Sequence, residues 1–143
     1  MQGTRVQGTS ILADVSNALV RLHKEQFGRG PTLSRAHFGG PDVLVCVLED
    51  VLLPAERKMV ALGEQQRVRE SRVAFQAATG SDFVAAVEQI VQRKVRAFAS
   101  AIDPDNDVVF ETFYFAQESG GDGDGALTAA RASELGEDRR VGV

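Results

Sequence analysis

The uninterrupted run Val43-Leu44-Val45-Cys46-Val47-Leu48, closed by Asp42 on one side and Glu49-Asp50 on the other, constrains this chain more than any other stretch. A strand wet on one face alternates polar and apolar residues, and this run does not. It is too short for a typical helix, and four of its six residues are Val or Cys, so it reads as a strand covered on both faces. Val43, Val45 and Val47 point to one side and Leu44, Cys46 and Leu48 to the other. Neighbouring helices or a second subunit must then cover two surfaces.

The flanking segments supply helices. Residues 1–10 are polar and contain glycine, and read as a flexible lead-in. Ser10 stands as an N-cap before Ile11, Leu12, Val15, Ala18, Leu19 and Leu22, which recur at helical spacing to about Phe27. Gly28 is placed to end that helix in a left-handed turn, and Pro31 blocks its resumption. Thr32 to Phe38 reads as an edge strand carrying Arg35 and His37, and Gly39-Gly40-Pro41-Asp42 turns it into the apolar run as a hairpin. Pro54 opens a short helix with Glu56 near its positive end. Gly63, a segment from Glu64 to Ala78, a break at Gly80-Ser81, and a last helix with Phe83, Val84, Val87, Ile90 and Val91 follow. Val95–Ile102 and the aromatic Val108–Phe115 form a second hairpin around Asp103-Pro104-Asp105-Asn106-Asp107. The expected fold is α+β: a four-stranded, mostly antiparallel sheet of two hairpins with about three helices packed on it, in the order α-ββ-αα-ββ. One domain is expected over 11–117. Residues 118–143, glycine-rich and acidic, read as a disordered tail.

At 143 residues the chain is long enough for one domain with a real core. Six acidic and three basic residues after Gln117 account for −3 of the net charge of −4, which leaves the domain nearly neutral. A dedicated nucleic-acid binder shows a basic excess, so nucleic acid is not an expected partner. No stretch approaches the ~20 apolar residues that span a bilayer, so no membrane insertion is expected. The lone Cys46 excludes an intramolecular disulfide, suits a reducing compartment, and reads as a small core hydrophobe rather than a nucleophile.

Motifs that carry chemistry are scarce. Asp103, Asp105 and Asp107 imitate a calcium loop, but Val108 stands where the loop needs Gly and Tyr114 where it needs Glu, so a turn is the expectation. His23 and His37 are the only histidines, and neither belongs to a zinc motif. No Gly-x-Ser-x-Gly elbow is present. Gly28-Arg29-Gly30-Pro31 is glycine-rich, yet it follows a helix and lacks the Lys-Ser/Thr ending of a phosphate loop. The binding candidates are Lys24, Gln26, Arg29, Arg69 and Arg72. No catalytic residue, metal or cofactor is expected.

Several stretches together resemble one family. They are Ser16-Asn17-Ala18-Leu19-Val20, Lys24-Glu25-Gln26-Phe27-Gly28-Arg29-Gly30-Pro31, Leu44 to Leu48 running through Glu49-Asp50-Val51-Leu52-Leu53-Pro54-Ala55-Glu56, and Arg69-Glu70-Ser71-Arg72 with the hairpin after Val95. The chain is similar over about Ile11–Phe115 to the small soluble third component of a sodium-translocating, membrane-potential-generating system. Members commonly carry Gly before the third strand, where this chain has Gln92-Arg93-Lys94. The resemblance implies a cytoplasmic protein associated with a membrane system for cation or bicarbonate handling, and it brings no catalytic residues. The expectation is a non-enzymatic accessory or regulatory subunit, peripheral to a membrane complex. Its partners would be itself, as a homodimer or higher oligomer, and a membrane transport protein. The alternative is a small-ligand or anion-binding regulatory domain using the basic residues around Arg29.

Overall fold

The structure, a computed structural model, describes residues 2–117; the expected tail, 118–143, lies outside them. Helix α1, Gln2–Phe27, leads into the hairpin of β1, Leu33–Phe38, and β2, Val43–Glu49. Helices α2, Pro54–Ala61, and α3, Gln65–Val91, come next, and β3, Val95–Asp103, and β4, Val108–Phe115, close the fold. The strands lie in the order β1-β2-β4-β3, and all three pairings are antiparallel. The expected α+β order of α-ββ-αα-ββ is the observed one.

β2 is central, as its composition requires, but it is covered on one side only. Leu44, Cys46 and Leu48 are fully buried, whereas Val43, Val45 and Val47 are half-buried. In β4 the buried set is Val109, Glu111, Phe113 and Phe115. Both sets face α1 and α3, whose Val15, Leu19, Phe83 and Val87 complete the core. α1 packs on the β1 half of the sheet and α3 on the β3 half. Burying each of these large side chains contributes about 1.5–3 kcal/mol. Of the two expected sources of cover, the helices supply one face only: among the described residues, no element lies over the second face.

Glycine decides two helix ends. Gly28, at φ +84°, donates its N–H to the Lys24 carbonyl at 2.9 Å and stops α1. Gly63, at φ +81°, breaks α2 from α3. Gly80 does not act this way, and Ser81 is no N-cap; the expected break there is replaced by one continuous 27-residue helix. Gly80 sits where the Phe98 ring closes on the helix, a Cβ there lying 3.5 Å from Cε2. Packing of Val68, Phe83 and Val87 at both ends outweighs an interior glycine's penalty of about 1 kcal/mol. α1 likewise starts at Gln2, upstream of the expected cap at Ser10, because a helix already nucleated by packing extends at little cost. Gln92 ends α3 at φ +62°, the left-handed conformation that glycine adopts most readily.

The turns are joined by charge. Asp107 Oδ1 accepts the Val51 and Leu52 N–H groups at 2.8 and 2.9 Å, tying the β3–β4 turn to the chain after β2. Asp103 accepts from the Asn106 backbone and side chain at 3.2 and 2.9 Å. The aspartates are thus spent on turn geometry, the reading their sequence pattern favoured.

Candidate ligand-binding site

Between α1, α3 and the inner side of β3 and β4 lies a cavity of about 360 Å³. It exists because α3 turns a polar stretch toward the sheet. Arg69, Arg72, Gln76 and Thr79 lie on the same side of the helix as the buried Phe83 and line the cavity. Val68, Phe83 and Val87 fill the helix–sheet interface elsewhere. On the sheet side, Ser100 on β3 and Glu111 on β4 replace apolar residues at inward-facing positions. The remaining wall is apolar, formed chiefly by Phe27, Phe83, Phe98, Ile102 and Val109. Arg69 and Val73 are exposed at the rim, and His23 and Glu111 are buried at the floor.

The floor is a hydrogen-bonded couple. His23 Nε2 lies 3.2 Å from Glu111 Oε1, and both side chains are 4% exposed. The imidazole is fixed by Phe27 stacked at 5.6 Å and Phe83 edge-on at 5.3 Å. Glu111 Oε2 is buried with no hydrogen-bond partner, and so is Gln26 Oε1. Cys46 stands opposite Glu111 in the β2–β4 register. Burial, with the Glu111 charge adding to it, pushes the Cys46 thiol up to about 12, so it stays protonated.

The five binding candidates divide. Gln26, Arg69 and Arg72 come together around the cavity. Lys24 is exposed on α1 and does not line it. Arg29 is held elsewhere: it pairs with Asp50 at 3.0 Å and donates to the Leu52 carbonyl at 2.8 Å. Hydrogen bonding from Arg29 holds the Asp50 carboxyl below its ordinary value of 3.8, against a weaker opposing effect of desolvation, and Arg57 also pairs with it. Arg72 is engaged too, with Glu56 oxygens at 2.6 and 2.8 Å, the Val51 carbonyl at 3.2 Å, and the Phe27 ring face at 4.1 Å. Arg69 forms no salt bridge among the described residues.

Sequence reasoning missed His23 and Glu111. A signal for Glu111 was present: in Val109-Phe110-Glu111-Thr112-Phe113 it falls on the buried side of the alternation. His23 carried none, since a histidine on an apolar helix face is ordinarily a packed core residue.

The second feature is the uncovered sheet face. Val43, Val45, Val47, Val108, Phe110 and Tyr114 occupy its centre together with Thr112, and Phe110 and Tyr114 are 41% and 36% exposed. Leu33, Arg35 and His37 continue it along β1, and Ala97, Ala99 and Ala101 along β3.

A sheet with helices on one side, one open, largely apolar face and a part-polar cavity make this a small α+β domain. The profile of the MpsC family, described as a Na+-translocating membrane potential-generating system, matches residues 7–117. The chain belongs to this family, as its sequence resemblance indicated. No curated protein and no solved structure shows significant similarity to it. No helix among the described residues is long and apolar enough to cross a membrane.

Proposed function

We propose that this chain is a non-enzymatic accessory or regulatory subunit of a membrane-potential-generating, sodium-translocating system, located in the cytoplasm at the periphery of a membrane complex. It acts by protein–protein contact, and its first partner is a second copy of itself. The observation that carries this reading is the open sheet face. A contiguous apolar patch of this kind marks an interface, and two-fold pairing is the commonest way to bury one. The charges around the patch favour self-pairing. Glu49 and Asp103 share one end of the face, in register through Val108. Arg96 lies at the other end, 5.8 Å from the Tyr114 ring. A two-fold axis running across the strands lays the acidic end of one copy over the basic end of the other. The non-enzymatic reading draws support from the protonated, buried Cys46 and from the pairing of Arg29 and Arg72 with carboxylates. That same pairing leaves the anion site around Arg29 with little support.

Light scattering at micromolar concentration should give about twice the 15.4 kDa chain mass. Phe110→Glu, which puts a charge at the centre of the patch, should return the protein to monomer without unfolding it. A wild-type chain that stays monomeric across the micromolar range refutes the self-pairing.

A further inference from the structure

We propose that the cavity between α1, α3 and the sheet binds a small amphipathic molecule whose polar end donates hydrogen bonds, an amine or a hydroxyl, and whose body is apolar. This goes beyond the docking reading and does not depend on it, because the cavity lies on the helix side of the sheet and the proposed interface on the other.

Size is the first argument. About 360 Å³ falls within the range of small-molecule pockets, and it is much larger than the voids left by imperfect packing. It corresponds to on the order of ten water-sized volumes.

Chemistry is the second. Glu111 is a carboxylate on the inner side of a central strand, between the buried Val109 and Phe113. Only one of its oxygens is used, by His23. The other, and the buried carbonyl oxygen of Gln26, accept nothing from the protein. Buried polar atoms are nearly always paired, and these two side chains both line the cavity. Both orphans are acceptors, so the missing group is a donor.

The surroundings exclude other occupants. Much of the wall is apolar, formed by Phe27, Phe83, Phe98, Ile102 and Val109, and it matches a molecule with an apolar body. An anion at the floor would meet the Glu111 charge, Arg72 is already committed to Glu56, and Arg69, unpaired among the described residues, stands at the exposed rim and not at the floor. Among the described residues no group of three metal-ligating side chains occurs, so a cation held by protein ligands alone does not fit. An ammonium placed by Glu111 gains the attraction of opposite charges along with its hydrogen bond, and a hydroxyl gains a hydrogen bond to the carboxylate alone.

The test is an NMR titration of the full ¹⁵N-labelled chain with three probes of one shape: 2-phenylethylamine, 2-phenylethanol and phenylacetate. The amine and the alcohol should shift the amides of Phe27, Ser100 and Glu111 at millimolar concentration, and phenylacetate should bind at least roughly tenfold more weakly than the amine. Tighter binding of the amine than of the alcohol assigns an ammonium ligand; the reverse order assigns a hydroxyl. Glu111→Gln should weaken the amine by about tenfold or more. Should that variant unfold, Ser100→Leu serves instead, because it grows into the cavity from β3 and leaves Glu111 in place; it should abolish binding of both donor probes. The proposal is overturned if neither donor probe shifts those amides, if phenylacetate binds as tightly as the amine, or if Ser100→Leu leaves binding unchanged.

Discussion

Arg72→Met distinguishes a cavity arginine that waits for a ligand from one that holds the fold together. The substitution keeps an apolar stem and removes the guanidinium. Lost with it are two hydrogen bonds to Glu56, at 2.6 and 2.8 Å, one to the Val51 carbonyl at 3.2 Å, and the stacking on Phe27. Glu56 keeps a single donor, the Leu53 N–H at 2.9 Å. The two side chains are 9% and 12% exposed, so water does little to replace the missing partner. Breaking a buried pair by removing one member costs about 3–5 kcal/mol. The positive end of α2 still favours Glu56 by roughly 0.3–1 kcal/mol, which places the expected loss near the lower figure, about 3 kcal/mol. For a domain of this size that is a fall in Tm of roughly 10–15 °C. Urea unfolding followed by circular dichroism measures it. The double variant Arg72→Met/Glu56→Leu, which replaces the pair with apolar side chains, should recover most of the loss. A loss below about 1 kcal/mol, the scale of an exposed pair, would refute the reasoning and return Arg72 to the pool of free ligand-binding groups.

Three further outcomes are expected. Cys46, fully buried and with its thiol pushed up to about 12, should react with a thiol reagent far more slowly in native protein than in denaturant; stoichiometric labelling within seconds would contradict the packing. Asp50 has its carboxyl lowered mainly by Arg29, so its contribution to stability is present above 3.8 and is lost as pH falls through its lower folded-state value; in acid titrations, Asp50→Asn should flatten the loss of stability in that window, and an unchanged profile would count against the Arg29–Asp50 pair as a source of stability. Gly80→Ala should raise stability by about 0.5–1 kcal/mol in urea unfolding, because the new Cβ meets Phe98 at an ordinary contact distance inside a continuous helix; a loss would mean that the helix is broken there after all.

Most of the architecture was readable because its signals are local. Aromatic content placed Val108–Phe115 as a strand with the observed bounds, and Gly28 and Pro31 marked the end of α1. The two hairpins followed from Gly39-Gly40-Pro41 and from the aspartate-rich turn. The misreadings concern interactions made at a distance. Gly80-Ser81 looks like a break in isolation, and only the packing of Val68, Phe83 and Val87 on either side of it shows why the helix runs through. The all-apolar run of β2 suggested cover on both faces, because composition reports that a surface needs burying and not which molecule buries it. Val43, Val45 and Val47 are apolar for the same physical reason as Leu44, Cys46 and Leu48, yet their cover is not in the described fold.

The cavity was legible only in part, for a related reason. Arg69 and Arg72 stood out as basic residues and Gln26 as part of the Lys24–Pro31 run, and the structure brings all three to one place. The residue they surround, Glu111, comes from a strand 39 positions beyond Arg72, and its partner His23 from the first helix, 88 positions before it. No spacing rule connects such distant groups; the antiparallel placement of β4 beside β2 and the packing of α1 against α3 do so. What the sequence does record is the cost. α3 interrupts its apolar face with Arg69, Arg72, Gln76 and Thr79, and β4 puts a carboxylate on its buried side, both against the pattern that would best stabilise the fold. Local rules broken at several separate points, all lining one space, indicate a site kept open for a purpose other than packing. Arg72 shows the structural side of that compromise, with its charge spent on Glu56, while Glu111 Oε2, a buried acceptor unpaired among the described residues, is the atom on which the proposed ligand site rests.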